Sequence, residues 1–184
     1  MAIILEKKKP ISLIKEKPDL RHITAGLGWD EAANADCDVS VFLLSANGKI
    51  PSDDFFIFYN NLNSPDGAVK HLGDSRGGEG DGDDESVTLD LSKLDSRIEF
   101  IYFTVTIHES EARGHHFGNV NDCYIKIYNG DNNTVLCEYQ LTESFDGQDS
   151  ILIASISRNN GNWNIEAIGQ AFSGGLGTLV ELYQ

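Results

Sequence analysis

The run Ile98-Glu99-Phe100-Ile101-Tyr102-Phe103-Thr104-Val105-Thr106-Ile107-His108 is the longest uninterrupted strand pattern in the chain. Side chains on a strand alternate between its two faces, so Phe100, Tyr102, Thr104, Thr106 and His108 share one face and Ile101, Phe103, Val105 and Ile107 the other. The second face is all apolar and is predicted to be core. Downstream, residues 109–120 read as irregular or briefly helical, and four more strands follow at 123–128, 135–141, 151–157 and 163–172. Asn129-Gly130 and Asn159-Asn160-Gly161 supply their turns, and 174–183 closes the chain as a short helix. Upstream, 87–91 alternates cleanly, 55–59 is an unbroken apolar run, and Asn47-Gly48 marks a hairpin turn before it. Residues 39–44 are apolar on both faces, as in a central strand covered on each side. Residues 20–27 alternate, while 3–5 and 11–14, separated by lysines and Pro10, read as outer strands. About ten short strands with almost no helical periodicity predict an all-β, two-sheet antiparallel β-sandwich, with a closed barrel as the alternative.

The 184 residues, 40% hydrophobic and 9% aromatic, are enough for one core, so residues 1–184 are read as a single domain. A net charge of −15 argues against nucleic acid, whose binding depends on neutralising phosphates, and favours cations. The first 21 residues run against this trend with six basic and three acidic residues, read as a lysine-blocked strand edge. The N-terminus lacks the apolar core of a signal peptide, and no apolar run approaches a membrane span. A cytoplasmic protein without membrane insertion is expected. Cys37, Cys123 and Cys137 have neither disulfide-framework nor zinc-site spacing and are read as free thiols. The charges of Asp36 and Asp38 are expected to make Cys37 a poor nucleophile.

Between two strand-like segments lies Gly73-Asp74-Ser75-Arg76-Gly77-Gly78-Glu79-Gly80-Asp81-Gly82-Asp83-Asp84-Glu85, with six carboxylates and one arginine in thirteen residues. Two carboxylates about 5 Å apart repel by roughly 1 to 3 kcal/mol at an effective dielectric of about 20 to 80, and folding this run brings several such pairs together. A hard divalent cation with all-oxygen, irregular coordination offsets that repulsion, which suits Ca2+ better than Mg2+. The spacing is not that of an EF-hand. In a sandwich the interstrand loops gather at two ends, so the segments 29–38, 60–66 and 73–85 can share one. The candidate metal ligands are therefore Asp30, Asp36, Asp38, Asn60, Asn61, Asp74, Glu79, Asp81, Asp83, Asp84 and Glu85. No catalytic residue and no other cofactor is assigned. A solvated acidic linker is the plainer reading of the run. His108, His115 and His116, near Glu109 and Glu111, are read as surface histidines outside the site, and Trp29 and Trp163 as core.

The order of motifs resembles the tellurium-resistance stress-protein family typified by TerD. It is carried by Gly28-Trp29-Asp30, Asp36-Cys37-Asp38, Phe56-Ile57-Phe58-Tyr59-Asn60-Asn61, Ser64-Pro65-Asp66-Gly67-Ala68-Val69, Gly78-Glu79-Gly80-Asp81-Gly82-Asp83-Asp84-Glu85, Val105-Thr106-Ile107-His108, Phe117-Gly118-Asn119-Val120 and Trp163-Asn164-Ile165-Glu166-Ala167-Ile168-Gly169-Gln170. The resemblance implies a two-sheet sandwich that binds calcium at the acidic loop. It also implies a role in resistance to tellurite and related chemical stress, with protein partners from the tellurium-resistance system, membrane-associated ones among them. No enzymatic activity comes with it. Two departures stand out. Asp74-Ser75-Arg76-Gly77 replaces the usual Asp-Asn-x-Thr, and Lys8 stands where a glycine is common.

Three functional classes follow. The first is a calcium-binding, non-enzymatic interaction module of the stress response. The second is a calcium-dependent membrane-binding module like a C2 domain, for which the loop tips offer only Arg76 and Leu72. The third is a hydrolase using a carboxylate pair such as Asp81 and Asp83, which a glycine-rich exposed loop disfavours because one acid must be kept protonated by a dry pocket.

Overall fold

The computed structural model describes residues 2–13, 19–30, 35–74 and 82–184, with only the backbone of Asp74. Its strands are β1 (Ile3–Ile4), β2 (Ile11–Ser12), β3 (His22–Gly28), β4 (Cys37–Ser45), β5 (Phe56–Ile57), β6 (Val69–Asp74), β7 (Glu85–Asp90), β8 (Ile98–Ile107), β9 (Tyr124–Asn129), β10 (Val135–Gln140), β11 (Ser150–Asn159) and β12 (Asn162–Phe172). Two helices are described, α1 (Ser110–Arg113) and α2 (Gly175–Tyr183). The strands form two six-stranded sheets, β1-β10-β9-β3-β7-β6 and β2-β12-β11-β8-β4-β5. The all-β, two-sheet architecture agrees with the sequence reading.

The core lies between the sheets. Ile101, Phe103, Val105 and Ile107 of β8 point into it, as do Val39, Val41 and Leu43 of β4 and Ile23, Ala25 and Leu27 of β3. The opposite face of the second sheet carries a smaller cluster, in which Phe42 and Phe56 stack at 4.5 Å. Helix α2 covers it because Leu176, Leu179, Val180 and Tyr183 recur at helical spacing and form one apolar stripe. The helix is held at both ends: Gly175 N–H donates to Asp149 Oδ1 at 2.9 Å, and Ile50 N–H donates to the Tyr183 carbonyl at 2.8 Å. Residues 39–44 are thus apolar on both faces because a sheet covers one and a helix the other.

Some details differ from the sequence reading or add to it. The described strands are twelve rather than about ten, and the sandwich is not wholly antiparallel, since β1 runs parallel to β10 with Ile3 opposite Cys137. The run 55–59 is not one strand. Residues Asp53–Phe55 form a 3-10 turn, only Phe56 and Ile57 pair with β4, and the chain then turns back on itself through reciprocal Phe58 and Asn61 backbone hydrogen bonds. The strand-like segment before the acidic run is β6, which reaches two residues into the run, to Asp74, and carries at His71 a polar residue in a buried position.

Candidate functional site

Register places one end of the sandwich. On the first sheet Leu27, near the end of β3, faces Glu85 at the start of β7, and Gly28 faces Tyr124 at the start of β9. On the second, Cys37 at the start of β4 faces Ile107 at the end of β8, and Ser150 at the start of β11 faces Phe172 at the end of β12. The segments after β3, before β7 and before β4 therefore open at the same end, which brings Asp30, Asp36, Asp38, Asp83, Asp84 and Glu85 to it.

The last three acids of the acidic run go to three different places. Glu85 faces inward and is 5% exposed. Its Oε2 accepts from Val39 N–H at 2.8 Å and lies 3.2 Å from His71 Nε2, which also faces the Val39 carbonyl at 3.2 Å. Gly73 N–H donates to His71 Nδ1 at 3.0 Å, so in the neutral ring the proton sits on Nε2. Burial lowers the His71 pKa, but the Glu85 carboxylate and the Val39 carbonyl raise it more, leaving it above the ordinary value; the Gly73 N–H opposes that rise. Asp84 Oδ2 accepts from Trp29 N–H at 2.7 Å, fastening the start of the 29–36 segment. Asp83 turns to the outer face of the first sheet, where Tyr124 Oη donates to its Oδ1 at 3.0 Å.

Asp38 lies half-buried on the face of β4 opposite the core. Burial first, then the charges of Glu85 and Asp36, push its pKa up to about 6 against the lowering influence of His108 and His71. Its Oδ2 stands 4.0 Å from His108 Nδ1. Asp36 is exposed just before the strand, and its carbonyl accepts from His108 N–H at 2.7 Å. Asp30 is half-buried, and its N–H donates to the Asn121 carbonyl at 2.8 Å. Asn60 is exposed beside Tyr59, which borders the same cleft of about 590 Å³ as Asp38. Asn61 is spent on its own turn, its Nδ2 donating to the carbonyls of Phe56 at 2.7 Å and Asp54 at 3.2 Å. Glu79, Asp81 and the side chain of Asp74 lie outside the described residues. Among the described residues, no group of three or more His, Cys, Asp or Glu is gathered as a metal site.

The His108 side chain is 45% exposed, as a surface histidine should be, whereas His115 and His116 are half-buried with Nδ1 atoms screened from solvent. All three cysteines are free and buried. The Cys37 pKa is pushed well above the usual thiol range, chiefly by burial and then by Cys123, Asp38, Asp36 and Glu85, so the flanking aspartates are a secondary cause. Trp163 is core, and Trp29 packs against the core from a half-buried position.

The TerD domain family model matches residues 1–183. The chain belongs to the TerD family. It is 43% identical to the "Tellurium resistance protein TerD" of Serratia marcescens over 187 residues, covering 100% of this chain and 97% of that protein. Similarity to the "General stress protein 16U" of Bacillus subtilis is 40% identity, covering 100% and 97%. The solved structure of a homologue of telluride resistance protein TerD from Streptomyces coelicolor A3(2) superposes with a TM-score of 0.66 at 22% identity, covering 88% of this chain and 95% of that one, which speaks for the fold. The TerD-family resemblance read from the motifs is thereby established, as is the tellurium-resistance and stress-response family. Within this TerD domain, sequence reasoning missed His71, Tyr124 and Tyr128. The alternation of Gly26 and Gly28 in a strand was the available signal for the tyrosines, since a glycine inside a strand marks close approach by another group.

Proposed function

We propose that this TerD-family protein binds calcium at the acidic end of the sandwich and acts as a non-enzymatic interaction module of the stress response. The observation that carries the reading is that register brings Asp30, Asp36, Asp38 and Asp84 to one end of the sandwich, beside the acidic run, where Asp38 is half-buried and pushed up to about 6 by burial and by Glu85 and Asp36. A divalent cation relieves that penalty, and carboxylates with backbone carbonyls are the donor set calcium takes. No three of the described acids Asp30, Asp36, Asp38 and Asp84 gather about one point, so an ion would take one or two of them and the rest of its oxygens from Asp74, Glu79 and Asp81 of the acidic run. When bound, calcium supplies charge neutralisation and a fixed geometry to this end of the fold. A non-enzymatic role is supported by how the nucleophile candidates are used: Ser110 Oγ donates to Asp149 Oδ2 at 2.8 Å, and the Cys37 and Cys123 thiols are buried, with Cys123 pushed up to about 12 by burial and by Asp84. Free cysteines suit a reducing cytoplasm, and no described helix is long and apolar enough to cross a membrane.

Titration calorimetry on chelator-stripped protein tests the reading. Calcium should bind, Asp38→Ala should weaken it about tenfold or more, and His115→Ala should leave it unchanged. No calcium heat from the wild type overturns it. A C2-like membrane role is favoured by Leu72, 53% exposed beside the acidic run. Calcium-dependent sedimentation with anionic liposomes would establish that second reading in place of the first.

A further inference from the structure

We propose that Asp83 is a positioning residue that clips the acidic run to the outer face of the first sheet, and that it does not ligate the cation. The clip is built on two neighbouring strands, β3 and β9. Thr24, Gly26 and Gly28 of β3 face away from the core, and in register beside them lie Tyr128, Lys126 and Tyr124 of β9. Gly26 therefore sits in the gap between two tyrosines. The Asp83 carboxylate fills that gap. A Cβ at Gly26 would stand 1.9 Å from Asp83 Oδ2 and 2.3 Å from Asp83 Cγ, so only glycine leaves room for it.

Gly28 does the same for the tyrosine. A Cβ there would lie 2.4 Å from the Tyr124 ring, which rests on the bare backbone and so presents its hydroxyl to Asp83 Oδ1 at 3.0 Å. On the other side of Gly26 the Tyr128 hydroxyl also feels the Asp83 carboxylate, which helps to hold it in its protonated form. Lys126 Nζ, 4.3 Å from the centroid of the Tyr124 ring, places a positive charge above the same patch. One oxygen of Asp83 is thus engaged by a tyrosine and the other is packed against Gly26, on a face away from Glu85, Val39 and His71. Burial, together with the Asp83 charge and hydrogen bond, pushes both tyrosine hydroxyls above their usual range, consistent with donors held by an anion.

The clip fixes where the acidic run leaves the sheet, and Asp84 and Glu85 follow from that point to Trp29 and Val39. A ligand needs the negative charge of Asp83, whereas a clip needs only an acceptor oxygen of the same shape. This distinction sets the experiment, which rests on the calcium reading in one of its two arms only. The variants are Asp83→Asn, Asp83→Ala, and Tyr124→Phe with Tyr128→Phe, each checked for native far-UV circular dichroism. The first arm is the rate at which trypsin cuts after Arg76 in metal-free protein; the second is calcium affinity by titration calorimetry.

Asp83→Asn should keep both close to wild type, because the amide oxygen still accepts from the tyrosines. Asp83→Ala and the tyrosine pair should each speed cleavage and weaken calcium about tenfold, roughly the loss of one hydrogen bond to a charged group. Combining them should add little, as expected for partners in one interaction. The proposal is overturned if Asp83→Asn loses calcium as fully as Asp83→Ala while the tyrosine pair changes neither quantity. If wild type takes up no calcium, the calcium reading fails, and the cleavage rates alone decide the clip.

Discussion

Glu85 of β7 accepts a hydrogen bond from Val39 N–H of β4, 2.8 Å away on the facing sheet. Strand β5 pairs with β4 only at Val41 and Phe42, so among the described residues no strand pairs with this edge of the second sheet at Val39. The N–H is taken by Glu85 and the carbonyl faces His71 at 3.2 Å, both from the first sheet. A buried edge that would leave its backbone unsatisfied is thus completed by side chains.

Glu85→Ala strands the Val39 N–H and the His71 ring in a site 5% exposed or less, and should cost about 2 to 4 kcal/mol. Glu85→Gln keeps an acceptor oxygen of the same reach and should cost less than half of that. Urea unfolding of the two variants in chelator measures the difference. Equal losses would show that acceptor geometry is not what Glu85 contributes.

Asp38 gives the metal-free protein a pH signature. Its folded pKa of about 6 lies above the ordinary 3.8, so the folded chain holds the proton more tightly than the unfolded one. The stability tied to this group is therefore full below about pH 4 and is lost as pH rises to about 6, by at most about 3 kcal/mol for two pKa units. Asp38→Asn should flatten that limb and make the metal-free protein more stable at pH 7. Wild-type and variant denaturation midpoints between pH 4 and 7 in chelator check this; parallel curves would refute it.

Lys8 adopts a left-handed backbone with φ of 62° just where β1 has left the first sheet and the chain bonds to the second, Lys8 N–H donating to the Ala167 carbonyl at 2.9 Å. The departure from glycine noted in the sequence thus falls on a position where a side chain is strained. Lys8→Gly should raise stability by about 0.5 to 1 kcal/mol, since the left-handed penalty for a side chain outweighs the added freedom of glycine in the unfolded chain. A melting temperature lowered by the substitution would contradict this.

The alternation of Ile98 to Ile107 gave the correct core face because β8 is flanked by β4 and β11 along most of its length and its register leaves no ambiguity. The closing helix was also legible, at 174–183, but not the sheet face that its apolar side covers. What stayed hidden depends on tertiary contacts. His71 gave no signal of its own because its partners, Glu85 and Val39, are 14 and 32 residues away. Asp83, Asp84 and Glu85 looked like one charge cluster, yet as neighbours along a strand entry they point in different directions and reach a tyrosine, a backbone amide and the opposite sheet. Composition marks such a run as acidic but does not say which carboxylates are already engaged.

Calcium binding at this end is tested most directly by thermal melts of chelator-stripped protein in buffer alone, in millimolar CaCl2, in millimolar MgCl2 and in NaCl of matched ionic strength. A ligand that binds only the folded form stabilises it by about 2.7 kcal/mol at a hundredfold excess over Kd, which for a chain of this size raises the melting temperature by roughly 5 to 11 °C. Magnesium should do much less, because it gives up its water reluctantly, and NaCl should give only a modest gain by screening. A calcium curve that coincides with the NaCl curve would contradict calcium binding and leave the acidic end as a solvated face.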